Sequence, residues 1–314
     1  MTKEVVNMKK SITVATFISN SEQQNKNFDV LCKLLGKTYT INAFVYSDKK
    51  VPTKYNNIVG KKTKYFRIID LIERTNDDNI LFVDNDITIN ENNILSFVND
   101  VINSDYALAW GIIRTSQQKN FAEKLIDIDK LISHYIIRPI SWKLKIGISL
   151  PGQVFMLNRR YYLDKLPRTD TLYDDLEIGA CTKEYNMPVK YTKYILGYEK
   201  PKSSLKELLI QRKRWAKGFV QILRMNKRTK TEKYVIIHGI LFNMLWIPTN
   251  TILGIMAIKN IYIFALAFIL LGLWYSHFNL KKILYAFIYI LIYWIIYFIW
   301  LINIIRFLFL KEEK

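Results

Sequence analysis

The sequence has little cysteine and little glycine, and both shortages exclude chemistry. Two cysteines, Cys32 and Cys181, stand far apart in 314 residues. They cannot build a disulfide framework or a Cys-based zinc site, and both thiols are expected to be reduced. Eleven glycines are spread along the chain, with neither a G-x-G-x-x-G run nor a Walker-type loop. The glycine-rich phosphate cradles of dinucleotide and P-loop proteins are therefore absent. There is no internal repeat and no low-complexity linker. Met1–Lys10 is polar and charged, without the apolar core of a secretory leader, so no signal peptide is expected there.

What the chain does have is apolar residues, unevenly spread. Half of its residues are hydrophobic, and from Tyr234 onward almost all are apolar or aromatic. Three runs follow one another: Tyr234–Ile258, Ile261–Phe278 and Ile283–Leu310, of 25, 18 and 28 residues. A helix needs roughly 20 apolar residues to cross a hydrocarbon core of about 30 Å. The first and third runs are long enough and the second is borderline, so about three transmembrane helices are expected over 234–314. Trp294, Trp300 and many tyrosines are candidates for the membrane–water interfaces.

Charge sets the expected orientation. The net charge is +19, and Lys190–Lys233 holds fourteen Lys/Arg against three Asp/Glu. A basic segment abutting a span stays on the cytosolic side and attracts anionic lipid. A multi-pass protein of the cell membrane with a cytosolic catalytic domain is the expectation, with membrane lipid rather than nucleic acid as the partner of the basic segment. The connectors carry Lys259, then Lys281 and Lys282, which fits in-to-out, out-to-in, in-to-out, with the C-terminus outside.

Before the apolar region the pattern is that of an α/β domain over 1–200. Ile12–Ile18 predicts a β-branched strand, Asn27–Leu35 a helix, Thr40–Tyr46 a strand, Tyr65–Arg74 an amphipathic helix and Asn79–Val83 a buried strand. This alternation predicts a largely parallel sheet with helices on both faces. Ligands of such sheets bind beyond the carboxyl ends of the strands. Over 201–233, Leu205, Leu208, Leu209, Trp215, Phe219 and Ile222 form an apolar stripe at helical spacing. It predicts an amphipathic helix suited to a membrane surface.

Three constellations carry chemistry. Phe82-Val83 runs into Asp84-Asn85-Asp86, two carboxylates at the end of a strand. Magnesium commonly takes one or two carboxylates plus substrate phosphates, so this pair suits a metal–diphosphate site, although Asp and Asn also make ordinary turns. Asp174, Asp175 and Glu177 crowd into four positions at a helix start. Acids there meet the helix dipole favourably, and a carboxylate among like charges also gains proton affinity and suits a general base. Gln211, Arg214, Trp215 and Gly218 share one helix face.

These motifs, in this order and ahead of C-terminal apolar runs, resemble family 2 glycosyltransferases. The membrane-integrated branch with the cellulose, chitin, hyaluronan and poly-N-acetylglucosamine synthases carries a D, D-x-D, (E/T)-D, Q-x-x-R-W signature. Asp84-Asn85-Asp86 matches D-x-D, Asp174-Asp175 stands at the second acidic pair, and Gln211–Trp215 matches Q-x-x-R-W. Gly152–Arg160 resembles the acceptor-side segment. The resemblance spans roughly residues 10–235. It implies a GT-A type nucleotide-sugar domain, followed by an interfacial helix and a transmembrane bundle. It also implies inverting transfer of a sugar, N-acetylglucosamine or glucose by family weight, from a UDP-sugar to a glycan acceptor at the cytosolic membrane face, as in polysaccharide synthesis.

By position, Asp86 would ligate Mg²⁺ or Mn²⁺ with Asp84 helping to hold the nucleotide sugar, and Asp175 would be the general base. Gln211, Arg214, Trp215 and Asp174 would meet the acceptor end and the diphosphate. Asp48 stands where the first Asp is expected, without its usual Asp-Asp-Gly-Ser surroundings. Lys62 or Lys64 could meet a phosphate, Lys64 being taken into the donor-binding set. Two readings compete with polymer synthesis: a single addition to a lipid or lipid-linked acceptor, and a non-catalytic membrane-tethered sugar-nucleotide binder. Three helices make a poor conduit for a polymer, so an oligomer or partner subunit would be needed for export.

Overall fold

The structure, a computed structural model, describes residues 9–18, 26–60, 62–227 and 229–309. The leader expectation for Met1–Lys10 falls almost wholly outside them. The strands are β1 (Ser11–Ile18), β2 (Thr40–Ser47), β3 (Asn56–Val59), β4 (Asn79–Val83), β5 (Ile87–Ile89), β6 (Leu108–Thr115), β7 (Val154–Asn158) and β8 (Val189–Glu199). The helices are α1 (Lys26–Leu35), α2 (Lys64–Arg74), α3 (Glu91–Ile102), α4 (Phe121–Ile132), α5 (Arg138–Lys143), α6 (Arg159–Tyr162), α7 (Asp174–Glu184), α8 (Leu205–Met225), α9 (Glu232–Asn243), α10 (Trp246–Lys259), α11 (Ile261–Tyr275), α12 (Ile283–Ile292) and α13 (Trp294–Phe309).

These elements divide into two units that interleave along the chain. Unit 1 takes the residues up to Ile113, Pro151–Arg168 and Asn186–Tyr198; unit 2 takes Arg114–Leu150, Thr169–Tyr185 and the residues from Glu199 on. The sequence divided the chain into consecutive blocks, 1–200, 201–233 and 234–314. The acidic motif at Asp174 and the Gln211–Trp215 helix instead share unit 2 with the apolar C-terminal helices.

Unit 1 is built on the sheet, ordered β3-β2-β1-β4-β7-β6-β8-β5. β1 pairs in parallel with β2 and β4, and β2 with β3. β7 is antiparallel to both β4 and β6. The sheet is thus mixed rather than largely parallel: the β–α alternation up to β4 dictates parallel neighbours, but strand direction after β6 is not written in periodicity. β1 and β4 are buried nearly throughout, as expected for strands covered on both faces. Val14, Leu81, Val83 and Met156 share one core with Leu31 and Leu35 of α1 and Phe97 and Val98 of α3.

Unit 2 is helical. The apolar stripe of α8 is largely consumed inside it. Leu208 packs with Leu125, Leu131 and Tyr289, while Phe219 and Ile222 pack with Ile148, Leu176, Val235 and Trp300. This corrects the expectation of an interfacial helix, because α4, α12 and α13 supply protein partners for the stripe that the sequence assigned to lipid. Trp300 is likewise buried, not interfacial.

The expected transmembrane bundle is also revised. Among the described residues, no single helix is long and apolar enough to cross a membrane. The first run is split into α9 and α10, bent by 45°. Pro248 lies in the first turn of α10; it has no N–H, and its ring would meet the carbonyl of Met244 in a continuous helix, so the chain breaks just there. The second run forms α11, of 15 residues, and turns by 110° towards α12 through His277 and Phe278, both at positive φ. The third run breaks at Tyr293 between α12 and α13, and Leu310 lies outside the described residues. The apolar surface remains nonetheless: Ile258, Tyr262 and Phe309 are 89%, 84% and 85% exposed.

Candidate active site

In unit 1 the acidic pair sits where β4 ends. The Asp84 amide donates to the Gln153 carbonyl at 2.8 Å and the Ile87 amide to the Asp84 carbonyl at 3.2 Å, turning the chain back from β4 into β5. Lys64 comes to this turn from the first residue of α2, whose start is capped by Thr63. Its ammonium donates to Asp84 Oδ1 and to the Gly152 carbonyl, both at 2.7 Å. Lys62 instead pairs with Asp70 at 3.5 Å, so of the two lysines it is Lys64 that lies at the Asp84 carboxylate. Gly152 and Gln153, read as acceptor-side, form a wall of this Asp84 turn.

Asp86 is exposed, and no hydrogen bond or ion pair engages it among the described residues. Asp48 follows β2 and is held by Arg67, which is 6% exposed, also donates to the Gly60 carbonyl at 3.3 Å, and lies over the Tyr46 ring. Arg67 was not singled out in the sequence, although a lone arginine in the apolar stripe of α2 was the available signal.

Three or more His, Cys, Asp or Glu side chains grouped for a metal do not occur among the described residues. The donor set is instead two carboxylates, one of them shared with Lys64. Such a pair suits a hard divalent ion that draws its remaining oxygens from water and a diphosphate, and does not suit a resident structural metal.

Unit 2 holds the second half of the residue set. Asp174, Asp175 and Glu177 occupy the first turn of α7, where unpaired backbone N–H groups favour negative charge. Asp175 Oδ1 accepts from the Leu176 amide at 3.0 Å, and Asp174 and Asp175 are both partly exposed. Glu177 is 2% exposed and accepts from the Asn226 side chain at 3.2 Å. Burial raises its carboxyl to about 7, against the opposing effect of the Asn226 bond. The raised proton affinity of Glu177 thus comes from burial and not from the neighbouring acids of the turn.

Close packing sets α7 and α8 in place. A Cβ at Gly179 would lie 1.6 Å from the Ile148 carbonyl oxygen, so α7 lies directly on that backbone. A Cβ at Gly218 would approach the Tyr173 Cβ to 3.0 Å, where α8 passes the start of α7. Three residues before Gly218, Trp215 stacks on Tyr173 at 6.4 Å with rings 15° apart. Gln211 is partly exposed, and Arg214 is exposed with no ion pair among the described residues.

Two further arginines shape this half. Arg212, an unspecified position within Gln211–Trp215, is buried in an ion pair with Asp129, donates to Tyr293 at 3.2 Å, and lies over the Trp215 and Trp300 rings at 4.5 and 5.0 Å. Arg138 follows a π-helical turn, Ser133–Ile137, closed by its own amide bonding to the Ser133 carbonyl. Pro139 explains the turn, since it has no N–H and its ring displaces the Tyr135 carbonyl from ordinary helical register. Burial lowers the proton affinity of Arg138, and Asp175, foremost among the nearby acids, opposes that shift through space. Burial and the charges of Arg138, Lys130 and Arg114 push His134 well below the usual histidine range, so it is neutral near pH 7.

Residues 79–310 match the sequence profile described as "Glycosyl transferase family group 2". No curated protein matches the chain in sequence. Among solved structures, the chain is similar to a mannosyltransferase from Pyrobaculum calidifontis in complex with GDP-Man and Mn²⁺, at TM-score 0.50 and 11% identity over 92% of this chain and 88% of that one. It is also similar to glucosyl-3-phosphoglycerate synthase from Mycobacterium tuberculosis in complex with Mn²⁺, UDP and phosphoglyceric acid, at TM-score 0.46 and 14% identity over 66% and 76%. A further structure of that synthase holds Mg²⁺ and UDP. At these identities the mannosyltransferase supports the fold alone.

Proposed function

The chain belongs to the family group 2 glycosyl transferases, and from that premise we propose that it moves a sugar from a nucleotide-sugar donor to an acceptor hydroxyl with inversion. Unit 1 receives the donor and unit 2 activates the acceptor. The observation that carries the reading is the Lys64–Asp84 pair beside the unengaged Asp86 at the end of β4.

Asp86, with Asp84, would hold Mg²⁺ or Mn²⁺. Such an ion, when bound, neutralises charge on the diphosphate. Lys64 adds a cation to the same place, and Asp48, held by Arg67, is assigned to the nucleotide. Asp175 takes the proton of the acceptor hydroxyl as that oxygen bonds to the anomeric carbon. The bond from that carbon to the diphosphate oxygen breaks, and its electron pair leaves with the nucleotide. Proton removal of this kind contributes typically 10²–10⁴-fold. Arg214, Gln211 and Asp174 supply polar contacts, and Trp215, held between Tyr173 and Arg212, presents a ring edge to the acceptor end.

A UDP-sugar, of N-acetylglucosamine or glucose, is the donor we favour, and the work is done at a membrane. The exposed apolar residues of α10, α11 and α13 seat in lipid as bent helices, and the basic Lys190–Lys233 segment precedes them in sequence. The acceptor is a glycan or a lipid-linked sugar at that membrane. Asp175→Asn tests the reading: UDP release with acceptor present should fall at least 100-fold while UDP affinity stays within two-fold. Undiminished release would remove Asp175 as the base.

A further inference from the structure

Two partly buried arginines of unit 2, Arg114 and Arg138, have no ion-paired carboxylate among the described residues, and Arg114 donates to the Tyr135 hydroxyl at 3.4 Å. Arg212 has Asp129, and Lys130 has Glu199. Arg138 donates through Nε to Ser149 Oγ at 3.1 Å, and its guanidinium lies 5.9 Å from the centre of the Phe242 ring. Ser149 thus fixes one edge of the fork and leaves the two terminal nitrogens for an incoming anion, the arrangement that suits bidentate phosphate binding.

Phe242 and Ile137, the residue before Arg138, also line a cavity of about 50 Å³, together with Trp246, Tyr275 and Trp294. One water needs about 10–15 Å³ on that measure, so the space exceeds a single solvent site. Its wall is mostly aromatic and aliphatic. Thr249 and Asn250 are polar but bond to the Leu245 and Trp246 carbonyls, whereas Asn243 is 1% exposed, lines the cavity, and has no hydrogen-bond partner for its amide oxygen or amide nitrogen among the described residues. A buried amide with both ends unmet costs stability, which points to a polar atom that arrives with a ligand. An arginine, an apolar cleft beside it and one unmet amide together describe a receptor for an amphiphile.

We propose that unit 2 binds an anionic amphiphile, its phosphate-type head on Arg138 and its apolar chain in the cavity, with Asn243 meeting a polar atom where head and chain join. Resting on the transferase reading, this molecule is the acceptor: a lipid whose anionic head also carries the hydroxyl that Asp175 deprotonates.

The test is calorimetric titration of the full chain, held in amphipol, with dodecyl phosphate below its micellar concentration. Dodecanol and inorganic phosphate serve as comparison titrants. The parent should bind dodecyl phosphate at least ten-fold more tightly than either. Arg138→Gln should weaken dodecyl phosphate at least ten-fold and leave dodecanol unchanged. Thr249→Trp, which fills the cavity from α10, should weaken both. Inorganic phosphate binding as tightly as dodecyl phosphate would assign Arg138 to a free anion and overturn the proposal. So would unchanged binding of dodecyl phosphate by Arg138→Gln. Should that variant lose its melting transition, Thr249→Trp decides alone, with unchanged dodecyl phosphate affinity again overturning the site. Titration of the parent with UDP keeps the two readings apart: a parent that ignores UDP loses the donor assignment, while the amphiphile site stands or falls on its own titrations.

Discussion

Asp86 and Glu177 are acids with opposite surroundings, and the difference predicts what each does. Asp86 is exposed and unengaged, so its carboxylate is available to an incoming cation. Asp86→Ala should abolish the Mn²⁺-dependent part of UDP binding in calorimetry; an unaltered Mn²⁺ response would place the ion elsewhere. Glu177 is enclosed, and its carboxyl is raised to about 7 from an ordinary 4.5. Its folded form therefore holds a proton that the unfolded chain has already released between those values. The slope of stability with pH is then negative, so stability is lost as pH rises from 4.5 towards 7 and the loss is complete above it. Glu177→Gln keeps an acceptor for Asn226 and removes this cost. Thermal melts should show the variant more stable than the parent at pH 8, by up to about 3 kcal/mol at roughly 1.4 kcal/mol per unit, and little changed at pH 4.5. Equal gains at both values would show that Glu177 does not titrate in this range. Its burial was not legible in the sequence, where Asp174, Asp175 and Glu177 looked alike as charges at a helix start. Only the packing of α7 separates them.

At the scale of elements, those up to β4 were legible where strand and helix periods alternate cleanly, while the four-residue edge strand β3 was too short to show a period. Ile12–Ile18, Thr40–Tyr46 and Asn79–Val83 become β1, β2 and β4 with boundaries shifted by at most one residue. The antiparallel entry of β7 was not legible, since alternation fixes faces and not direction. The Gln211–Trp215 helix was legible as a helix, but its environment was misread, because an apolar stripe looks the same whether lipid or α13 covers it. Arg212 makes the difference testable. Its pairing with Asp129 is buried, and Arg212→Ala would strand that carboxylate; a loss of about 3–5 kcal/mol is expected for breaking such a pair. A change below about 1 kcal/mol in chemical denaturation would return α8 to an exposed role. Gly179→Ala forces a methyl into the Ile148 backbone. Overpacking of this kind costs typically 1–3 kcal/mol and sometimes more, and it should also lower transfer by displacing Asp175. Unaltered stability and turnover would contradict the close approach of α7 to Ile148.

For the molecule as a whole, the three apolar runs predict lipid contact through composition, and many of their side chains are exposed in the structure. What composition does not carry is continuity. Pro248 at a helix start and positive φ at His277 and Phe278 convert runs of spanning length into bent pieces. The position of Asp84 and Asp86 at the end of β4 was legible because they follow an apolar strand directly, a local feature. Arg67 and Arg138 were not, since each acquires meaning only from partners distant in sequence, Asp48 and Ser149. The central claim is sugar transfer from a nucleotide donor, and UDP release measures it most directly. Purified protein in lipid nanodiscs, offered a panel of UDP-sugars with an anionic-lipid acceptor, should release UDP from at least one donor. Release should require Mg²⁺ or Mn²⁺ and stop on chelation. No release above background from any nucleotide sugar, UDP- or GDP-linked, with either ion would contradict it.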